Sequence, residues 1–77
     1  MNATERIAKL VEPELLNRIP SFVRGHALDG TSKLVAREYP DLYEEAGADG
    51  EMSKESRERL AKIVNDTYRE RMAKHGM

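Results

Sequence analysis

The chain has 77 residues, no cysteine, and a formal net charge of −1 from 13 basic and 14 acidic side chains. This length allows one small domain, and the lack of cysteine excludes disulfides, thiolate metal sites, iron–sulfur ligation and cysteine nucleophiles. No apolar run approaches the roughly 20 residues of a membrane helix, and the polar N-terminal segment is unlike a signal peptide, so we expect a soluble, cytoplasmic protein.

Two short helices are predicted at the start of the chain. Asn2 is placed to cap the first helix, with Glu5 three residues later as the second half of a capping box. Pro13 interrupts the apolar pattern and suits the first position of a second helix. Pro20 ends that second helix, because the residue before a proline is disfavoured in the helical region.

The stretch 21–39 is predicted either as one helix disturbed at Gly30 or as two short helices. Ser21 is a candidate cap, and Asp29-Gly30 is a dipeptide typical of turns. Phe22 is the only phenylalanine of the chain. We expect its ring to anchor the core.

The remainder of the chain predicts a short helical piece and then the longest helix. Pro40 stops or kinks the chain, and Gly47 suits a helix C-cap with a left-handed backbone. Ser53 is placed to cap the long helix and Gly76 to close it. The apolar stripe of this helix recurs at helical spacing and comprises Leu60, Ile63, Val64, Tyr68 and Met72. Since no segment alternates as a strand does, the predicted fold class is all-α: one domain, 1–77, with three to five helices around one core.

Catalytic and metal-binding patterns find little support. The stretch 38–53 carries six acidic residues and no basic one, and it is either an exposed turn or a docking signal. Its spacing departs from a calcium-binding EF-hand, with Ser56 where the bidentate glutamate belongs. His26 and His75 lie far apart in sequence, with no carboxylate at ligand spacing. We therefore expect no enzyme activity, no cofactor and no metal site.

The last helix suggests an alternative function. Seven basic residues lie between 54 and 77, as in a helical DNA or RNA reader. Three of them follow an acid by one turn, as Glu55–Arg59, Glu58–Lys62 and Glu70–Lys74 pairs, and the sequence pI of 6.1 argues against phosphate binding. A solvated, ion-paired face is favoured, with Arg59 and Lys62 as scaffold. A small nucleic-acid-binding regulator stays as the alternative.

Three arginines near the proline corner are the candidate partner-binding residues: Arg18, Arg24 and Arg37. Arg24 lies in a first helical turn, where a positive charge is mildly unfavourable, and it has no acid one turn away. Two interpretations stay open. Arg24 contacts a partner's carboxylate or phosphate through its forked donors, or it pairs internally with a distant acid such as Glu38 or Glu45.

Three segments of the chain share a pattern with a known family. They are 16–24 (LNRIPSFVR), 35–38 (VARE) and 50–53 (GEMS), the last of which directly precedes a helix. Together they resemble the small C-terminal domain of light-independent protochlorophyllide reductase, over about residues 16–63. The Pro-x-Phe-Val-Arg run is the most specific part, and the acidic stretch 40–50 is longer than the turn of that family.

That resemblance implies a helical accessory module, with the redox chemistry and the iron–sulfur cluster held by other chains or domains. The predicted function is therefore a non-enzymatic protein–protein interaction module that binds a larger protein, which the resemblance associates with a reductase-like assembly.

Overall fold

The computed structural model describes residues 2–76 and contains five α-helices within them. These are α1 (Ala3–Leu10), α2 (Pro13–Arg18), α3 (Ser21–Glu38), α4 (Pro40–Gly47) and α5 (Lys54–Lys74). Residues 2–76 include no strand, so the predicted all-α class and helix number are confirmed. None of the five helices is both long and apolar enough to cross a membrane.

Local sequence signals explain several of the helix ends. The Asn2 side chain accepts a hydrogen bond from the Glu5 backbone N–H at 2.8 Å. Ser53 accepts one from the Ser56 N–H at 3.1 Å, so both predicted caps are confirmed. Pro13 and Pro40 occupy the first positions of α2 and α4, where the missing N–H would have no intrahelical partner.

Two predicted helix ends are wrong. Ser21 is the first residue of α3 rather than its cap, because the chain enters the helix at Pro20 and no side chain caps it. Gly47 is the last residue of α4, and Ala48 follows in extended conformation. The left-handed backbone occurs later, at Gly50 with φ +89°, where the Gly50 carbonyl accepts a hydrogen bond from the Arg6 side chain.

Helix α3 runs without a break through Asp29-Gly30, so the one-helix alternative is correct. The role of Gly30 is in packing rather than in a turn. A Cβ atom at Gly30 would lie 2.8 Å from Nη1 of Arg71, which is closer than such atoms approach. Glycine at this position lets the α5 side chain cross directly over the α3 backbone.

The core joins α1 to three other helices, since α1 packs against α3, α4 and α5. Among the described residues, thirteen apolar ones are buried: Ala3, Ile7, Val11, Leu15, Ile19, Val35, Leu42, Ala46, Met52, Leu60, Val64, Tyr68 and Met72. Four of the five residues of the stripe predicted for the last helix are among them, but Phe22 is not. Its side chain is 88% exposed, so the expectation that it anchors the core is wrong.

The position of Phe22 on the helix explains its exposure. Val23, Ala27 and Leu28 pack against the core from α3, and the helix then continues to buried Thr31 and Val35. Successive helical residues are about 100° apart, so Phe22 projects away from the direction set by these residues.

Asn65 is a buried polar residue that fixes the α1–α2 junction onto α5. Its Oδ1 accepts a hydrogen bond from the Glu12 backbone N–H at 2.8 Å. Its Nδ2 donates to the Leu10 carbonyl at 2.9 Å and to the Ala61 carbonyl at 2.8 Å. One side-chain amide therefore forms hydrogen bonds with backbone groups at the end of α1 and the start of α2 that have no partner within a helix.

The ion pairs on α5 differ from the predicted ones. Lys62 pairs with Asp66 at 2.8 Å instead of with Glu58. Arg69 binds Asp66 at 3.3 Å and also donates to Glu12 of the α1–α2 junction at 2.7 Å. Lys62 and Asp66 are more than half exposed, where a single pair contributes little to stability.

Candidate functional site

An open groove of about 310 Å³ lies between α3 and α5. On the α3 side it is lined by residues that recur at helical spacing: Val23, His26, Ala27, Gly30 and Thr31. These positions form one stripe of α3 because residues three and four apart are neighbours on a helix surface. The groove is within the size range of small-ligand and peptide-anchor pockets.

The α5 side of the groove is contributed by the last two turns of that helix, through Tyr68, Arg71, Met72 and His75. Ile19, from the end of α2, also lines it. Buried Ile19 and Met72 make the interior apolar, while His26 and His75 are exposed. Within residues 2–76, every ionisable side chain that lines the groove is basic or phenolic.

Arg71 is one of the polar residues that line the groove. Its guanidinium lies over Gly30, and its charge acts on the neighbouring Tyr68 hydroxyl. Burial raises the pKa of the Tyr68 phenol, and the Thr31 side-chain hydrogen bond and the Arg71 charge oppose that rise. The half-buried guanidinium of Arg71 is the group in the groove that suits a carboxylate, because its forked donors match that geometry.

Phe22 lies on α3 one turn before His26, and therefore at the edge of this groove. Gly25 is on the same exposed part of the helix, and a Cβ atom there would meet nothing within 4 Å. The sequence pattern singled out Phe22 but assigned it to the core. Phe22 directly precedes Val23, which has the helical spacing of the buried residues of α3. This order indicates that the Phe22 ring projects from a different side of the helix.

Arg24 has an internal role that neither sequence interpretation foresaw. Its Nε donates to the carbonyls of Leu16 at 3.1 Å and Ile19 at 3.0 Å. These carbonyls belong to the end of α2, where backbone acceptors have few intrahelical partners, and the Leu16 carbonyl also accepts from the Ile19 N–H at 3.1 Å. Arg24 therefore caps α2 and sets the α2–α3 corner, and no ion pair links it to Glu38 or Glu45.

The three predicted partner-binding arginines do not form one cluster. Arg37 is at the far end of α3 from Arg24, about 20 Å away along a helix, and pairs with its neighbour Glu38 at 3.2 Å. Arg18 is exposed at the end of α2. The partner-binding role of all three stays a prediction.

A second hollow, of about 350 Å³, is basic. It lies between α1 and the start of α5 and is lined by Arg6, Lys9, Leu10, Glu51, Met52 and Arg57. Three of these six residues are cationic and one is acidic. The fold brings Arg57 to the two α1 bases from a distant part of the sequence.

The two histidines, 49 positions apart in sequence, line the same groove. No sequence pattern predicts this shared position, because it depends on how α3 packs against α5. Across residues 2–76, no group of three or more histidine, aspartate or glutamate side chains lies close enough to hold a metal ion.

Comparisons with known protein families, with curated proteins and with solved structures find no match to this chain. The resemblance to the reductase domain family therefore stays a sequence prediction.

Proposed function

We propose that the chain is a non-enzymatic, cytoplasmic protein–protein interaction module that docks a larger protein on one face. This docking face consists of Phe22 and His26 of α3 together with the α3–α5 groove. The observation that carries the proposal is Phe22, which is 88% exposed and lies at the edge of the apolar groove. Large aromatic side chains next to apolar pockets are typical anchors of protein interfaces.

The chemistry of the groove specifies what the partner presents. Its interior accepts apolar side chains, and its polar positions, His26, Arg71 and His75, suit a carboxylate. A short amphipathic helix with one or two apolar anchors and an acidic residue matches this set. The sequence resemblance makes a reductase-like assembly the first place to look for such a partner.

Affinity capture followed by reconstitution tests the proposal. The wild-type chain, Phe22→Ala and Tyr39→Ala are immobilised and exposed to native cell extract, and any stoichiometric partner is then purified. Tyr39 is the matched control, because it is the other exposed large apolar residue within 2–76 and lies about 25 Å from Phe22 along the helix.

With the purified partner, we expect Phe22→Ala to weaken the Kd by roughly tenfold or more, as for an interface anchor. Tyr39→Ala is expected to leave the Kd within about twofold. Equal effects of the two substitutions contradict this docking face.

The basic hollow between α1 and α5 favours a second candidate function, a small DNA- or RNA-binding regulator. Arg6, Lys9 and Arg57 surround it, and cations grouped in this way attract phosphates. Binding to generic duplex DNA that weakens steeply with salt, and that Arg57→Ala reduces, supports this function. Capture of a protein through Phe22, with no DNA binding, favours the first proposal.

A further inference from the structure

We infer that the α3–α5 groove binds a small apolar monocarboxylate, with the carboxylate on Arg71 and the apolar body along α3. The inference goes beyond the proposed function, because it needs no protein partner. It assigns a class of small molecule to a groove of about 310 Å³, a volume within the range of small-ligand pockets.

Arg71 has no anionic partner among the described residues. Within residues 2–76 the ion pairs join other side chains, and none of the hydrogen bonds there comes from the Arg71 guanidinium. The residues three and four positions from it on α5 are not acidic. Asp29, the acid next to Gly30 on α3, pairs with Lys33 at 3.1 Å. A half-buried guanidinium without a counter-ion favours an anion, and its forked donors match a carboxylate.

The lack of a side chain at Gly30 places this guanidinium at the wall of the groove. A Cβ atom there would lie 2.8 Å from Nη1 of Arg71, and Gly30 and Arg71 both line the groove. The buried hydroxyl groups beside them have other bonds. Thr31 donates to the Ala27 carbonyl at 2.9 Å and is also hydrogen-bonded to Tyr68. Arg71 is therefore an open donor, with its charge directed at a ligand.

The rest of the groove is apolar and elongated. It is lined by buried or half-buried apolar side chains: Ile19, Val23, Ala27 and Met72. From Val23 to Thr31 the α3 side of the groove is about 12 Å long, which suits an extended chain or a ring attached to the carboxylate. Because apolar surroundings penalise charge, one guanidinium balances a singly charged head group better than a doubly charged one.

Titration of the purified, isotope-labelled chain with octanoate, followed by NMR, tests the inference. Octanol and octylamine are matched probes that carry the same apolar body without the anion. We expect saturable shifts of the Gly30 and His75 amide signals with octanoate. Octanol and octylamine are expected to bind at least about tenfold more weakly, because neither forms a charge-assisted pair with a guanidinium. Equal binding of octanoate and octanol, or no saturable shift with octanoate, overturns the inference.

Two matched pairs of variants locate the carboxylate. Arg71→Gln is expected to weaken octanoate binding by about tenfold or more, whereas Arg59→Gln, exposed on the same helix, is expected to stay within about twofold of wild type. Gly30→Ala is expected to weaken binding several-fold, because the new methyl group displaces the guanidinium. Gly25→Ala, where the space is open, is expected to leave binding unchanged.

Circular dichroism checks that each variant keeps its helix content. An Arg71→Gln variant that is folded and binds octanoate as the wild type does overturns the inference. Equal affinities of Gly30→Ala and Gly25→Ala overturn it as well.

This inference and the proposed function fail separately. A chain that binds no octanoate, but still captures a protein through Phe22, overturns the monocarboxylate and leaves the docking face intact. A chain that binds octanoate through Arg71, and whose Phe22→Ala variant captures protein as well as the wild type does, supports the ligand site and overturns the docking face.

Discussion

Phe22 and Gly25 share one exposed stripe of α3, and neither packs against the rest of the chain. We expect Phe22→Ala to change the free energy of unfolding of the dilute monomer by less than about 0.5 kcal/mol, as for surface sites. Leu60, fully buried, is the contrast, and Leu60→Ala is expected to cost about 2–5 kcal/mol. Urea unfolding measures both. A Phe22→Ala loss as large as that of Leu60→Ala contradicts the exposed placement.

Gly25 and Gly30 allow a matched pair of substitutions in the same helix. Gly25→Ala is expected to stabilise the monomer by about 0.5–1 kcal/mol, because alanine is the better helix former and the site is open. Gly30→Ala is expected to gain less, because the new methyl group displaces the Arg71 guanidinium. Thermal melts of dilute samples compare the two. A larger gain at position 30 contradicts the packing of Arg71 over Gly30.

Tyr68 makes the stability of the fold depend on pH in the alkaline range. Burial raises its pKa above the ordinary value of 10.0, so the folded state holds the proton more tightly than the unfolded chain does. The resulting stability is fully present below pH 10.0 and is lost as the pH rises through the folded pKa. We expect Tyr68→Phe to flatten the stability profile above that pH. Urea unfolding at a series of alkaline pH values measures the profile, and a Tyr68→Phe profile as steep as that of the wild type contradicts this expectation.

At the scale of elements, Asn65 holds the α1–α2 junction on α5. Asn65→Ala is expected to destabilise the fold by about 2–3 kcal/mol, because the Glu12 N–H and the Leu10 carbonyl lose their partner. Asn17→Ala, on the exposed side of α2, is expected to stay within about 0.5 kcal/mol of wild type. Chemical denaturation followed by circular dichroism measures both. An Asn65→Ala variant as stable as Asn17→Ala contradicts the role of this amide.

Helix ends were predictable where the signal is local. Asn2, Ser53 and Pro13 act on backbone groups within one turn, so their residue types are enough to predict where a helix begins. The orientation of α3 was not predictable in the same way. It depends on which stripe of α3 packs against α1 and α5. The prediction relied on Phe22 being the only phenylalanine and did not use the spacing of Val23 with its buried neighbours.

The candidate site was predictable only in part. The sequence marked Arg24 as unusual, but its acceptors are carbonyls of α2, which no side-chain pattern reveals. The groove joins residues 19–31 to residues 68–75, and its existence depends on the packing of distant segments. Asn65 did leave a signal, since an amide three residues before Tyr68 falls on the apolar stripe of α5.

The Asn65 hydrogen bonds to Leu10 and Glu12 join residues that are 55 and 53 positions apart. On a ribosome that adds about 5–20 residues per second, the Leu10 carbonyl and the Glu12 N–H are synthesised roughly 3–10 s before Asn65, their hydrogen-bond partner. During that time Ile7 and Val11, both buried in the finished fold, have no α5 to cover them. The first two helices therefore complete their packing only after the last one is made, and until then their apolar side chains are available to chaperones.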